Sequence, residues 1–241
     1  MCGRYTLTQI SPELIRKLFL LTYLPDLRPR YNIAPTQHVL VVREKPDNER
    51  GADFVRWGLI PSWAKEEAIG NRMINLRSET VADKPGFRGP FRHRRCLVVA
   101  DGFYEWQKAG PRKQPVYVRR ADGQPFGFGG VWDHWISPDA AEIESCSIIT
   151  TAPSEFIAPI HDRMPLIIEP GDYDLWLDPA VQRPDDVRGL LKPYTSPDLT
   201  ALPCLLYTSD AADDLTCVTL GGRRTTTPTN LHTRASTHPP T

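Results

Sequence analysis

Short apolar segments separated by polar turns run through the first 200 residues and predict more strands than helices. A doubly wound parallel sheet is not expected, because the pattern shows no repeat of strand, helix and strand. The triplet Ala121-Asp122-Gly123 is typical of a hairpin turn. The predicted strands are His38–Arg43, Asp53–Gly58, Cys96–Ala100, Phe103–Gln107, Pro115–Arg119, Pro125–Trp132 and Ser147–Thr151.

Helical periodicity is confined to short segments. The pair Ser11-Pro12 is typical of a helix start, because serine caps the first turn and proline is tolerated at its first position. We expect this helix to end by Leu24, since Pro25 follows. Its apolar stripe consists of Leu14, Leu18 and Leu21. Three further short helices are predicted at Pro153–Ile157, Asp172–Leu177 and Asp186–Leu191.

Together these elements predict an α+β fold, with a curved, mainly antiparallel sheet or a partly closed β-barrel core and peripheral helices. We expect residues 1–202 to form one domain. Apolar periodicity stops at Pro203, and Cys204–Asp213 matches, codon by codon, the translation of a transposase adaptor used in sequencing libraries. We therefore expect residues 203–241 to be a non-native, disordered tail rather than a natural one.

Charge and hydropathy narrow the possible function classes. The 29 basic residues balance the 29 acidic ones, and this balance stays at zero without the tail. Any contact with nucleic acid must therefore come from a local basic patch. No apolar run reaches the length of a membrane span, and the N-terminus lacks the apolar core of a secretory signal. We expect a soluble cytoplasmic protein with no membrane contact.

The five cysteines include no closely spaced pair and no cluster with histidine, so neither a disulfide framework nor a structural metal site is predicted. Cys96 and Cys146 lie in apolar runs and are expected to be buried in strands. Cys2 is different because it follows the initiator Met1. Aminopeptidases remove methionine before small residues, so the mature chain is expected to begin at Cys2.

An N-terminal cysteine is a 1,2-aminothiol, with its amine and its thiol on adjacent carbons. The pKa of an α-amine is near 7.7–8.0, so a fraction is unprotonated at neutral pH and can attack an aldehyde. The neighbouring thiol can then trap the Schiff base by closing a five-membered thiazolidine ring. An internal cysteine cannot react in this way, because its nitrogen belongs to an amide.

Three polar runs follow apolar segments, namely Asn75–Thr80, Asp101–Trp106 and Ile160–Pro165. A single Asn, Glu or His is most often a surface residue or a hydrogen-bonded structural residue. A cysteine nucleophile accompanied by such groups elsewhere in the chain is nevertheless the arrangement expected of nucleophilic catalysis.

Six sequence blocks occur in a fixed order: Met1–Tyr5, Tyr31–Thr36, Trp57–Trp63, Asn75–Thr80, Arg95–Trp106 and Ile160–Pro165. Together they closely resemble the SOS response-associated peptidase (SRAP) family of abasic-site processing proteins. The resemblance covers residues 2 to about 195. Members of that family normally end with a further strand after a His-Pro-Val-Ser segment, and we expect this chain to lack it.

The resemblance implies a protein that binds single-stranded DNA at an abasic site. Cys2 would form a covalent thiazolidine with the ring-opened sugar. The protein would react once, without turnover, and shield the lesion in the DNA damage response. Asn75 would position Cys2 and the sugar, Glu105 would act as acid and base near the α-amine, and His161 would assist ring opening. No metal or cofactor is implied, and we expect a monomer.

The resemblance also suggests which residues contact DNA. Arg4, Arg77 and Arg163 are candidate phosphate contacts, and their clustering would reconcile DNA binding with zero net charge. Pro35 and Trp63 match loop positions that could stack on bases beside the lesion. Trp63 is equally typical of an ordinary core residue.

Two other functions remain open at this stage. The family name records a thiol peptidase, at least for removal of the protein's own N-terminal residue, and this makes an N-terminal cysteine hydrolase the main alternative. A non-catalytic reader of single-stranded or modified DNA would keep the arginine and tryptophan contacts without needing a free N-terminal cysteine. Incubation with abasic DNA separates the three, since a covalent adduct, peptide cleavage and salt-sensitive binding are different outcomes.

Overall fold

The computed structural model describes residues 2–45, 49–109 and 112–204. Of the predicted tail, residues 203–241, only Pro203 and Cys204 are described, and the residues from Leu205 onward lie outside these ranges. The strands are β1 (Arg4–Leu7), β2 (Arg30–Ile33), β3 (His38–Glu44), β4 (Arg50–Trp57), β5 (Asn75–Arg77), β6 (Arg95–Ala100), β7 (Gly102–Ala109), β8 (Arg112–Arg120), β9 (Phe126–Ile136), β10 (Glu142–Thr151), β11 (Met164–Pro165), β12 (Ile167–Ile168) and β13 (Leu199–Pro203). The α-helices are α1 (Pro12–Phe19), α2 (Pro85–His93), α3 (Tyr173–Leu177) and α4 (Pro184–Arg188), and two 3₁₀ helices span Glu67–Arg72 and Pro170–Asp172.

Five strands close into a barrel in the order β4, β3, β6, β9 and β10, because β10 pairs with both β9 and β4. The β4–β10 pair is parallel and the other four pairs are antiparallel. Strands β5, β11 and β12 extend the barrel edges. The expected α+β fold with a mainly antiparallel barrel core is thus confirmed, and the barrel is fully closed.

A second, fully antiparallel sheet has the strand order β13, β8, β7, β1 and β2. Its strand β13 was not predicted, because Leu199–Pro203 has little apolar alternation. This strand runs past residue 202, and the Cys204 amide donates a hydrogen bond to the Pro115 carbonyl. Strand β1 lies between β7 and β2, so both its edges are paired.

The side chain of Asp101 anchors the end of β1. Its carboxylate is almost fully buried and accepts hydrogen bonds from the Thr6 hydroxyl, from the Thr8 amide and hydroxyl, and from the Gln9 amide. Because Asp101 directly precedes β7, these bonds fix the register of β1 against β7, with Arg4 opposite Tyr104. The same register continued by one residue places Gly3 opposite Glu105.

The helices differ from the sequence predictions in instructive ways. Helix α1 begins as predicted, with the Ser11 hydroxyl accepting from the Leu14 amide, but it ends at Phe19 because Leu20 adopts a left-handed conformation with φ of 55°. Its buried side chains are Ile15 and Phe19; of the predicted stripe, Leu18 packs partly buried against the core and Leu21 is buried just after the helix. Helix α2 was missed, because its glycines and Pro90 are poor helix formers.

Two further predictions need correction. Residues Pro153–Ile157 form turns instead of a helix, and the nearby Pro159 lacks the amide that a continuing helix needs. The turn at Ala121–Gly123 is present, with φ of 69° at Gly123, but it joins β8 to β9, which belong to different sheets. It is therefore not a hairpin turn. Helices α3 and α4 lie close to their predicted positions, and Cys96 and Cys146 are fully buried in β6 and β10, as expected.

Arg95 is a buried cation that ties peripheral helices to the barrel. Its guanidinium donates to five backbone carbonyls and, among the residues that the structure describes, to no carboxylate. Burial lowers the pKa of Arg95 to about 10, so the group stays charged at neutral pH. The acceptors are the carbonyls of Phe91, Arg92, Trp176, Asp178 and Val181.

Replacing Arg95 by Met should strongly destabilise the fold, because buried carbonyls would lose their donors. An unsatisfied buried acceptor costs about 1–3 kcal/mol, so the free energy of unfolding should fall by at least about 3 kcal/mol. Arg92→Met is the matched control, since Arg92 is exposed and should change stability by at most about 0.5 kcal/mol. Chemical denaturation measures both, and equal losses in the two variants would contradict this role.

Candidate active site

Cys2 lies in the interior, at the entrance to β1, and its side chain is fully buried. The amide nitrogen Nδ2 of Asn75, the first residue of β5, donates a 2.8 Å hydrogen bond to the Cys2 carbonyl. The other polar atom of this side chain, Oδ1, is buried and accepts no hydrogen bond from the described residues. Asn75 thus holds Cys2 by its backbone and keeps an acceptor available beside it.

Glu105 supplies a buried carboxyl group in the same region. Its side chain is only 1% exposed, and this burial raises the pKa of Glu105 to about 7. Both the acid and the base form are therefore populated at neutral pH, as a group that accepts and returns protons requires. Burial also raises the pKa of the Cys2 thiol, and the nearby negative charge of Glu105 raises it further.

His161 completes the group, with its Nε2 3.7 Å from Oε2 of Glu105. Its Nδ1 lies 3.0 Å from the Arg163 amide nitrogen and 3.2 Å from the Arg163 carbonyl oxygen, and its Nε2 faces Glu105. Burial lowers the pKa of His161 even though the Asp162 carboxylate lies 2.9 Å from Nδ1. The imidazole is therefore mainly neutral at pH 7.

The side chains of Glu105 and His161 line a cleft of about 560 Å³. One wall comes from the β7–β8 hairpin and the other from the loop before β11, which is tied to β7 by a 2.9 Å hydrogen bond from Gln107 to the Pro159 carbonyl. The cleft is lined by Glu105, Trp106, Lys108, Lys113, Ala158, Pro159, Ile160, His161 and Asp162. The two lysines were not singled out in the sequence, although they follow the Glu105 block closely.

The three candidate arginines have different surroundings. Arg77 is exposed at the end of β5, two residues after Asn75, and Arg4 is half-buried beside Cys2. Arg163 instead makes a bidentate ion pair with Glu79 and also donates to the Thr150 carbonyl. These contacts hold the loop that carries His161 and leave Arg163 less available to phosphate. Its DNA contact remains a prediction.

Trp63 is 58% exposed and is not a core residue. Its indole packs on α2 at Gly86, where an added Cβ would come within 3.1 Å of the ring. Pro35 is half-buried in the loop between β2 and β3. Both loops are fastened near the end of β4, through hydrogen bonds from Thr36 to the Trp57 carbonyl and from Leu59 to the Met73 carbonyl.

Helix α2 and the residue before it carry a basic surface that sequence reasoning missed. Because the helix itself was not predicted, nothing indicated that these side chains share one element. The exposed indole of Trp63 packs against this helix, so an aromatic ring and several basic side chains share one surface. The exposed basic residues are Lys84, Arg88, Arg92 and His93.

Within the described ranges, no group of three or more His, Cys, Asp or Glu side chains is arranged to hold a metal ion. Within the same ranges, no helix combines the length and the apolar character needed to cross a membrane.

Comparison with known proteins places this geometry in context. The family model described as SOS response associated peptidase (SRAP) matches residues 1–205. The chain belongs to the SRAP family. It is 40% identical over 204 residues to the abasic site processing protein YoqW of Bacillus subtilis, an alignment that spans 83% of this chain and 91% of YoqW. It is 34% identical over 182 residues to the abasic site processing protein YedK of Escherichia coli, spanning 73% of this chain and 79% of YedK.

Solved structures support the same SRAP fold. A protein from Bacteroides thetaiotaomicron superposes with a TM-score of 0.76 at 25% identity, covering 85% of this chain and 92% of that one. A protein from Bordetella bronchiseptica superposes with a TM-score of 0.73 at 27% identity, covering 85% of this chain and all of that one.

The raised pKa of Glu105 predicts a specific dependence of stability on pH. Since the folded state binds this proton more tightly than the unfolded state, the stabilisation is fully present below about pH 4.5 and is lost as the pH rises through about 7. The pKa difference corresponds to on the order of 3 kcal/mol. In denaturation experiments from pH 4.5 to 8, wild type should lose this much relative to Glu105→Gln.

Glu155→Gln is the control for this experiment, because Glu155 is exposed. Its stability should follow wild type across the whole pH range. A constant difference between wild type and Glu105→Gln would show that the pKa of Glu105 is not raised.

Proposed function

We propose that this protein processes abasic sites in single-stranded DNA by forming a covalent thiazolidine link through Cys2, after removal of Met1. It would act once per lesion, as a cytoplasmic monomer without a cofactor, and shield the site. The observation that carries the proposal is the meeting of a buried N-terminal cysteine with Asn75, Glu105 and His161. The names of the SRAP relatives support abasic DNA as the substrate.

The chemistry begins with opening of the abasic sugar. The closed hemiacetal gives its hydroxyl proton to a base while its ring oxygen receives one, and an aldehyde results. The neutral imidazole of His161 can accept the first proton, and Glu105 in its acid form, with a pKa of about 7, can supply the second. The two groups are 3.7 Å apart, slightly beyond hydrogen-bond range, so a small side-chain movement would let the proton pass back between them and restore both.

The amine of Cys2 then attacks the aldehyde carbon, and the carbinolamine loses water to give an imine. The Cys2 sulfur adds to the imine carbon while its proton passes to the imine nitrogen, which closes the ring with the net loss of one water. Glu105 can relay these protons as well. The buried acceptor Oδ1 of Asn75 is available to hold the amine or a sugar hydroxyl.

The electrostatics of Cys2 favour this reaction over thiol peptidase chemistry. A resting thiolate nucleophile requires a lowered pKa, usually from a cationic neighbour. Here burial and Glu105 raise the pKa of Cys2, and the imidazole of His161 is paired with a carboxylate and mainly neutral. A protonated thiol suits the aminothiol route, because the amine attacks first and the sulfur acts only after the imine has formed.

The exposed surface fits a single strand that passes the cleft. Trp63 offers an aromatic face for stacking, and Arg77 and the basic side chains of α2 provide local positive charge. DNA binding therefore does not require a net positive chain. A non-catalytic reader would use the same surface, but it would not explain why a free cysteine is placed beside two proton-transfer groups.

Covalent capture should depend on both the thiol and the free amine of Cys2. Cys2→Ala and Cys2→Ser should give no denaturant-stable adduct with an abasic single strand, because a hydroxyl closes the ring much less readily than a thiol. Inserting Lys between Met1 and Cys2 should also abolish it, since Met1 is then retained and the nitrogen of Cys2 is an amide. Denaturing electrophoresis is the measurement.

A strand carrying tetrahydrofuran, an abasic analogue without an aldehyde, provides the control for binding. All three variants should bind it as wild type does. A stable adduct formed by any of them at the wild-type rate would refute thiazolidine formation.

A second set of variants should affect either the rate of adduct formation or the affinity for DNA, but not both. Glu105→Gln and His161→Ala should slow adduct formation at saturating protein by about 10²–10⁴-fold, while the unaided aminothiol still reacts slowly. Trp63→Ala should weaken binding by about 1–3 kcal/mol with little effect on the saturated rate. Single-turnover time courses and binding titrations distinguish the two effects.

Tyr23→Ala is the matched aromatic control, because Tyr23 is also about half exposed but belongs to the loop after α1. It should leave both binding and rate unchanged. Wild-type rates combined with poor binding in Glu105→Gln and His161→Ala would assign those residues to binding instead.

A further inference from the structure

Lys108 and Lys113 lie directly opposite each other on β7 and β8. Both side chains are exposed, and both line the cleft that contains Glu105 and His161. Like charges directly opposite each other in an antiparallel pair destabilise it. Stability of the hairpin therefore gives no reason for two lysines at these positions.

The acidic residues of the cleft lie against the His161 ring and not against this lysine pair. Neither Lys108 nor Lys113 forms an ion pair with any carboxylate among the described residues. Glu105 is buried next to the His161 ring, and Asp162 lies 2.9 Å from Nδ1 of that ring. The mouth of the cleft therefore presents two lysine charges that no described carboxylate pairs, with the exposed Asp162 beside the His161 ring.

The charge of Lys113 reaches His161. Burial is the main cause of the lowered pKa of His161, and the ammonium group of Lys113 adds to it. An anion bound at the lysines would thus lie close enough to the cleft to hold an attached group against Glu105 and His161.

We propose that Lys108 and Lys113 form an anion subsite that binds a backbone phosphate next to the reacting sugar. This inference rests on the proposed function, because it takes the anion to be part of the abasic strand. A lysine ammonium is a compact point charge and an established phosphate ligand. One phosphate between the two lysines replaces their repulsion with two attractions and positions the sugar in the cleft.

The first test compares two double variants that remove the same charge. Lys108→Gln with Lys113→Gln removes the subsite, and Lys17→Gln with Lys192→Gln removes two exposed lysines elsewhere. Binding of the tetrahydrofuran strand is titrated at several salt concentrations. The subsite variant should lower the slope of log affinity against log salt by about 2, and the control should leave it unchanged. Equal slopes in both variants overturn the inference.

The second test locates the phosphate. Each of the two phosphates that flank the tetrahydrofuran is replaced in turn by an uncharged methylphosphonate. At one of the two positions the replacement should weaken binding by wild type and by the control variant but not by the subsite variant. Loss of affinity that is the same in all three proteins at both positions overturns the inference.

These outcomes are independent of the covalent chemistry. Adduct formation without coupling to either phosphate refutes the subsite and leaves the proposed function intact. Coupling to one phosphate without any adduct on a true abasic strand supports the subsite and refutes covalent capture.

Discussion

The pairing of β1 between β2 and β7 is the constraint on which the rest of the site depends. Chemistry at an N-terminal residue requires a chain end that is held as firmly as a residue in the middle of a sheet, whereas chain ends usually fray. Here both edges of β1 are hydrogen-bonded, and the buried Asp101 carboxylate binds the segment that follows it. A shift of one residue would turn every β1 side chain to the opposite face.

Burial then determines the pKa values of Cys2 and Glu105. The same packing that excludes water from Cys2 and Glu105 raises the pKa of both groups. Burial of the Glu105 carboxylate lowers the stability of the fold, and it raises the pKa of Glu105 to near neutrality, where a carboxyl group can both give and accept a proton. For Cys2, in the proposed reaction, it would keep the thiol protonated until an imine is available. The neutral His161 links this buried pair to the open cleft.

Although the net charge of the chain is zero, its basic residues fall into two groups with different roles. Arg43, Arg95 and Arg163 are used inside the fold, where they bind carboxylates or backbone carbonyls. The cations around the cleft and on α2 are exposed instead. A chain with zero net charge can therefore present local positive surfaces, because carboxylates such as Glu144 and Glu79 pair with the structural arginines and not with these exposed cations.

The sequence by itself determined the barrel strands and the burial of Cys96 and Cys146, and it suggested the chemistry proposed for Cys2, because these follow from local apolar runs and from position in the chain. The ordered motifs also indicated Asn75, Glu105 and His161. Only the tertiary structure decided that Trp63 is exposed, that Arg163 is engaged by Glu79, and that Lys108 faces Lys113 across a hairpin. Helix α2 and strand β13 likewise exist because packing overrides weak local preferences. Exposure, ion pairing and pKa depend on neighbours that are distant in sequence, and no local pattern encodes them.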